Sequence, residues 1–131
     1  MPRKTDSNNP RDWLDLAAAD LEGIEVLAQR EVAYSLCRSK LAEVLEKILK
    51  AELIRLGWFL ENTHDLEKLS GELNSRKSDL MMQVYPLCEV FAEVYFSDRY
   101  PGFDMEEPDW PELKIYVQQV GDVLRIVQSR V

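Results

Sequence analysis

Apolar residues recur at steps of three and four along the first part of the chain, and acidic residues occupy many positions between them. The apolar positions are Trp13, Leu16, Ala17, Leu21, Ile24, Leu27 and Ala28. A period of this length collects apolar side chains on one face of an α-helix. The pattern therefore predicts an amphipathic first helix of roughly five turns.

Between residues 32 and 60 the apolar residues are too dense for one helical stripe. Two adjoining stripes contain Leu41, Val44, Leu45 and Ile48, and Leu49, Leu53, Leu56 and Leu60. A helix with two apolar sides has neighbours on both, so we expect it at the centre of a bundle. Glutamates four residues before Lys47 and Lys50 predict a solvated strip of ion pairs. Gly57 indicates a close packing contact or the start of fraying.

The remainder of the chain predicts three more helices. Asn62 or Thr63 can cap a short helix through Asp65, Leu66, Leu69 and Leu73. In the next helix, Pro86 either introduces a kink or marks the true first turn. The last helix begins at Asp109-Trp110-Pro111-Glu112, which combines a capping residue, a proline in the first turn and a glutamate three positions on.

These elements predict an all-α fold, an up-and-down bundle of four to five helices with a short additional helix. The chain has 131 residues, which is enough for one domain and its core. Residues 1–10 are polar and rich in turn formers, so we expect a flexible N-terminal arm followed by a single domain over 11–131.

Charge and composition exclude several classes of function. Lys and Arg number 16 against 24 Asp and Glu, a net charge of −8, so no global positive field attracts duplex DNA or an anionic membrane. No apolar run reaches the length of a membrane span, and no signal peptide precedes the fold, so we expect a cytoplasmic protein. Cys37 and Cys88 lie apart in apolar stretches and predict buried thiols. With a single histidine, we expect no metal and no other cofactor.

Basic residues on the central helix are the first candidate site. Lys47 and Lys50 lie three apart, and Arg38, Lys40 and Arg55 add charge along the same helix. Ammonium and guanidinium groups are the donors that bind phosphate. Because glutamates are interleaved with them, the alternative is that these lysines only pair along a solvated face.

Three more residues are candidates for binding a nucleotide or RNA. His64 could act as a base or contact a nucleobase; the alternative is a hydrogen bond to the backbone or to Asp65. Arg99 could clamp a phosphate beside Tyr100, or else bind the acidic loop that follows. No nucleophile or second base is in register with His64, so we assign no catalytic residue.

Four separated motifs resemble the HEPN domain family (higher eukaryotes and prokaryotes nucleotide-binding). They are Trp13-x3-Ala17-x2-Asp20-Leu21, Glu46-Lys47-Ile48-Leu49-Lys50-Ala51, Thr63-His64-Asp65-Leu66-x2-Leu69 and Arg99-Tyr100-Pro101. The resemblance covers roughly residues 12–130 and implies a helical, usually dimeric bundle that often works beside a nucleotidyltransferase in toxin–antitoxin pairs. Some branches of the family are ribonucleases.

The chain departs from the family pattern at two places. The ribonuclease motif has four to six residues between an Arg and a following His, whereas eight separate Arg55 from His64 and no His follows Arg99. Many relatives have Gln-Gln-Ala-Ala where this chain has Ala42-Glu43-Val44-Leu45, which is bulkier and more acidic. We therefore expect no ribonuclease activity from the usual motif.

The sequence thus predicts a non-catalytic helical module that binds nucleotide or RNA and acts with a partner. The first alternative is an interaction protein without a ligand site. The second is a ribonuclease with a rearranged active site. A homodimer is also expected, because the central helix is unusually apolar and Met82, Tyr85, Phe96 and Trp110 are candidates for exposed apolar surface.

Overall fold

A computed structural model describes residues 7–94 and 107–131. Within those ranges the chain forms five α-helices and no strand, which confirms the predicted all-α fold. The helices are α1 (Pro10–Arg30), α2 (Tyr34–Arg55), α3 (Leu66–Ser75), α4 (Met81–Phe91) and α5 (Trp110–Gln128).

The first helix is fixed at both ends by local hydrogen bonds. Asn9 caps its start by accepting from the backbone N–H of Arg11, and the indole Nε1 of Trp13 donates to the carbonyl of Ser7 over 2.9 Å. Its last turn closes at Glu31, which has a left-handed backbone (φ 54°). The chain then reverses within three residues, so that α1 packs along α2.

The second helix is central, as predicted, because it contacts α1, α3 and α5. It ends at Arg55 rather than Leu60. The N–H of Gly57 donates to the carbonyl of Ile54, and the N–H of Trp58 donates to that of Leu53 over 2.9 Å. This is a Schellman motif, and it requires the left-handed backbone of Gly57 (φ 92°). The predicted close packing at Gly57 is wrong, since a Cβ there would meet nothing within 4 Å.

The third and fourth helices form a hairpin across residues 76–80. Asp65 caps α3 by accepting from the N–H groups of Glu67 and Lys68, so the predicted caps at Asn62 or Thr63 are wrong. Asp65 has the better position because its oxygen reaches donors two and three residues further on. Pro86 lies inside α4, which excludes it as the first turn.

The fifth helix begins as predicted, because the Asp109 side chain accepts from the N–H of Glu112 over 3.1 Å. Trp110 is the first residue of α5 and not part of a connection. Its ring meets Tyr34 edge to face, with the centroids 5.2 Å apart. This contact joins the start of α5 to the start of α2, and α5 then buries its apolar face against α1 and α2.

Both cysteines are buried, as predicted, and burial raises the pKa of the Cys88 thiol to about 12. Burial also raises the pKa of Cys37. Across the described ranges, no helix is both long and apolar enough to cross a membrane.

Candidate ligand-binding site

Charged side chains of α2 are buried where the sequence predicted a solvated strip. Glu46 is 7% exposed, Lys50 is 3% exposed and Glu52 is fully buried. The prediction is wrong at these positions because other parts of the chain cover them. Trp13 of α1 and His64 of the α2–α3 connection lie over the first pair, and Arg130 at the end of the chain lies over Glu52.

Glu46, Lys50, His64 and Trp13 form one group, here called the Lys50 cluster. The Lys50 Nζ atom lies 3.0 Å from Oε2 of Glu46 and 5.2 Å from the centre of the Trp13 ring. Nδ1 of His64 lies 3.0 Å from Oε1 of the same glutamate. The carboxylate thus joins an ammonium group to an imidazole, and the indole face adds a cation–π contact.

This geometry holds the Lys50 ammonium in one place. A buried charge is tolerated only where it is paired and hydrogen-bonded, and here a carboxylate and an aromatic face replace the lost water. The side-chain entropy of Lys50 is therefore already lost before any ligand arrives. A ligand that reaches this ammonium meets a preorganised donor.

A pocket of about 350 Å³ opens beside the cluster. Its lining comprises Asn8, Trp13, Lys50, Phe59, Leu60, Glu61 and Asn62. The ring of Phe59 is 88% exposed, although a large apolar side chain is normally buried. The pocket combines aromatic surfaces with an ammonium and an amide, a set that can stack a planar ring and hydrogen-bond its edge.

His64 does not line this pocket. It lines a recess of about 10 Å³ together with Ser39 and Glu43, which is no larger than one water molecule requires. Its side chain is 53% exposed. The sequence did not predict this contact between His64 and Glu46. The structure therefore brings His64 and Lys50 into one cluster but not into one cavity.

Among the described candidates, Lys47 is not in this cluster. Lys47 points to α1, where its Nζ lies 2.8 Å from Oδ2 of Asp20. Arg99 and Tyr100 lie outside the described residues. Lys40 pairs with Glu43 at 2.9 Å along the helix surface, as the solvated-face alternative predicts for that residue.

A second buried cluster, here called the Glu52 cluster, was missed from the sequence. Glu52 accepts from Nε of Arg55 and Nη1 of Arg130, both over 2.6 Å, and from the Ser78 hydroxyl over 3.3 Å. Nη2 of Arg130 also lies 2.8 Å from Oδ2 of Asp79. This hydrogen bond lowers the pKa of Asp79, and the bond to Glu52 raises the pKa of Arg55.

One signal for this cluster was present in the sequence. Glu52 follows Ile48 and Leu49 at helical spacing, so it occupies a core position where an apolar residue is expected. Its main partner, Arg130, is 78 residues away, and no local pattern links the two. The cluster joins α2, the α3–α4 connection and the end of α5, which is a structural role.

The helix order and the buried polar centre on α2 define an all-helical domain with a preorganised cation beside an aromatic pocket. The HEPN domain family model matches residues 10–129, nearly the whole chain. The chain therefore belongs to the HEPN domain family, a family related to nucleotides and RNA. No curated protein and no solved structure matches the chain.

Proposed function

We propose that this HEPN domain binds a nucleotide or single-stranded RNA in the pocket beside Lys50 and does not cleave it. The observation that carries the proposal is the exposed ring of Phe59 in a pocket that also contains Lys50 and Trp13. Exposure of a large aromatic ring is unfavourable in water unless something covers it.

Each side of the pocket supplies a different part of the recognition. A base stacks on Phe59, a contact worth about 1–3 kcal/mol for each base. The amide of Asn62 donates to and accepts from the edge of the base. The Lys50 ammonium binds the phosphate, and it needs no ordering because Glu46 and Trp13 already hold it.

Binding without cleavage follows from the residues around the one histidine. The family's ribonuclease motif has four to six residues between an arginine and the following histidine, whereas eight residues separate Arg55 from His64. Incubation of the purified protein with labelled single-stranded and structured RNA should leave both intact; cleavage that His64→Ala abolishes would contradict the proposal.

The binding test uses ATP and a short oligoadenylate, titrated into the protein and followed by Trp fluorescence. Phe59→Ala should weaken binding by roughly tenfold, in line with the loss of one stacking contact. Met82→Ala is the matched control, because Met82 is equally exposed (91%) but lies outside the pocket. Failure of both probes to bind, or equal affinities of wild type and Phe59→Ala, would refute this pocket.

Lysine variants test the second half of the proposal. Lys50→Met should weaken binding of ATP more than binding of adenosine, because the ammonium contacts phosphate. Lys47→Met removes the same charge from the same helix, but Lys47 faces Asp20. It should leave both affinities unchanged. The sequence predicted that both lysines contribute; the revised proposal retains Lys50 alone.

We further propose a cytoplasmic homodimer that acts with a nucleotidyltransferase partner in a toxin–antitoxin-type pair. HEPN domains often form dimers, and Leu16, Val26, Leu36 and Ile115 are large apolar residues about half exposed on α1, α2 and α5. Light scattering should give a mass near 30 kDa, twice the 15.2 kDa of the chain. A steady 15 kDa species at all concentrations would exclude the dimer.

A further inference from the structure

A groove of about 800 Å³ lies between α3 and α4, away from the Lys50 pocket. Its apolar surface comes mainly from α4, where Met81, Met82, Tyr85 and Pro86 line it. Met82 is 91% exposed and Tyr85 about half exposed. Met81 packs partly against the core, whereas Met82 and Tyr85 direct most of their apolar surface away from it, and together these side chains form an apolar trough.

The charges in this groove have one sign. Glu67 of α3 and Glu89 of α4 both line it, and no lysine or arginine is among the described residues of the lining. Glu89 follows Tyr85 by one turn of α4, so both side chains lie on the side of the helix that lines the groove. A partner with cationic side chains next to apolar ones matches this surface, whereas an acidic partner is repelled.

The α3 wall of the groove projects little into it at Gly71, because glycine has no side chain. A Cβ atom built at this glycine meets nothing within 4 Å, so the space above it is open. Short residues on one side and long, flexible methionines on the other form a trough that adapts to the side chains it receives. The ridges of a third helix fit such a trough between two packed helices.

We propose that this groove binds one amphipathic α-helix of a partner protein, with Lys or Arg residues flanking its apolar stripe. A second copy of this chain is the competing occupant, and a dimer that Gly71→Leu dissociates would identify it. The groove is separate from the nucleotide pocket, so the inference does not rest on the proposed function.

Two synthetic peptides of roughly four helical turns serve as probes. Both have leucine at positions i, i+3, i+4 and i+7; one has lysines beside this stripe and the other has glutamates. The protein is labelled at its methionine methyl groups and titrated with each peptide by NMR. The lysine peptide should bind roughly tenfold more tightly or better, with the largest shifts at Met81 and Met82.

Gly71→Leu fills the groove without a clash, and Gly23→Leu is its matched control. Both glycines are helical and exposed, and neither has an atom within 4 Å of the new Cβ. Each substitution favours the helix, so neither variant should unfold. Gly71→Leu should weaken the lysine peptide roughly tenfold, and Gly23→Leu should not.

Three results would overturn the proposal. These are equal binding of the two peptides, insensitivity of the lysine peptide to Gly71→Leu, and a dimer that Gly71→Leu dissociates in the absence of peptide. Phe59→Ala protein should bind the lysine peptide normally. Loss of nucleotide binding with retention of peptide binding, or the reverse, therefore separates failure of this proposal from failure of the nucleotide pocket.

Discussion

Glu46 and Glu52 are two buried glutamates on the same helix, six residues apart, yet their surroundings differ. Glu52 accepts from two arginines and a hydroxyl that come from three parts of the chain. Glu46 contacts Lys50 of its own helix and His64 of the next connection. The Glu52 carboxylate is fully buried among these donors. The partners of Glu46 instead line cavities: Lys50 lines the pocket and His64 lines the recess.

This difference shows that burial of a charge does not by itself identify a functional site. Both carboxylates are desolvated, and both are compensated by cations. What distinguishes them is whether the compensating groups have room beside them for a ligand. Arg130 binds a second carboxylate of the protein, Asp79. Lys50 faces an aromatic pocket, so its charge can act on something outside the protein.

The largest effect on stability should follow from Glu52→Ala. Removal of this carboxylate leaves Arg55 and Arg130 close together, without their shared acceptor and without full hydration. It also removes the contact that joins α2, the α3–α4 connection and the end of α5. We expect a loss of about 3–5 kcal/mol in the free energy of unfolding. Urea denaturation measures it, with exposed Glu22→Ala as the control that should change little. A loss below about 1 kcal/mol would contradict a structural role for the Glu52 cluster.

The Lys50 cluster should respond differently to loss of charge. Lys50→Met should cost about 1.5–3 kcal/mol, because it leaves Glu46 with His64 alone. The double variant Glu46→Leu/Lys50→Met replaces the whole ion pair by apolar side chains and should recover much of that stability. It should not recover ATP binding. A double variant no more stable than Lys50→Met would mean that this pair, too, is retained for stability.

Thiol labelling of Cys88 should show which of the two clusters stabilises the region around α4. The raised pKa of Cys88 keeps this thiol protonated at pH 8, so labelling requires local opening. Cys88 lies on α4, and the Glu52 cluster holds the connection that precedes this helix. Glu52→Ala should therefore accelerate labelling of Cys88 far more than Lys50→Met does, as peptide mass spectrometry can show. Equal acceleration would mean that the two clusters hold one cooperative unit.

The smallest effect should be the acid sensitivity that Asp79 contributes. Its hydrogen bond to Arg130 lowers its pKa below the ordinary value of 3.8. The contribution to stability is therefore complete above that value and is lost as the pH falls through the lower pKa of the folded state. Asp79→Asn removes this contribution, so it should lower the melting temperature slightly at neutral pH, change it least in strong acid, and reduce its dependence on pH below about pH 4. An unaltered acid profile would show that this ion pair is not formed in solution.

Local patterns predicted the elements whose ends are determined locally. The start of α5 follows from Asp109 and Glu112 alone, and the central position of α2 follows from its two apolar stripes. The polar residues of α2 were harder, because Glu46 and Lys50 have the spacing of an ordinary surface pair. Their burial depends on Trp13 and on the His64 connection, which are distant in sequence. Periodicity contains no information about which polar residue a distant segment covers.

The left-handed turn at Gly57 has a consequence for how this domain can evolve. The turn directs the chain out of α2 two residues before Phe59, so the direction of the pocket wall depends on a glycine that does not line the pocket. Any other residue there strains the backbone. Selection for a ligand can therefore preserve a residue that never touches it, while the ring at position 59 is free to vary and change what the pocket accepts.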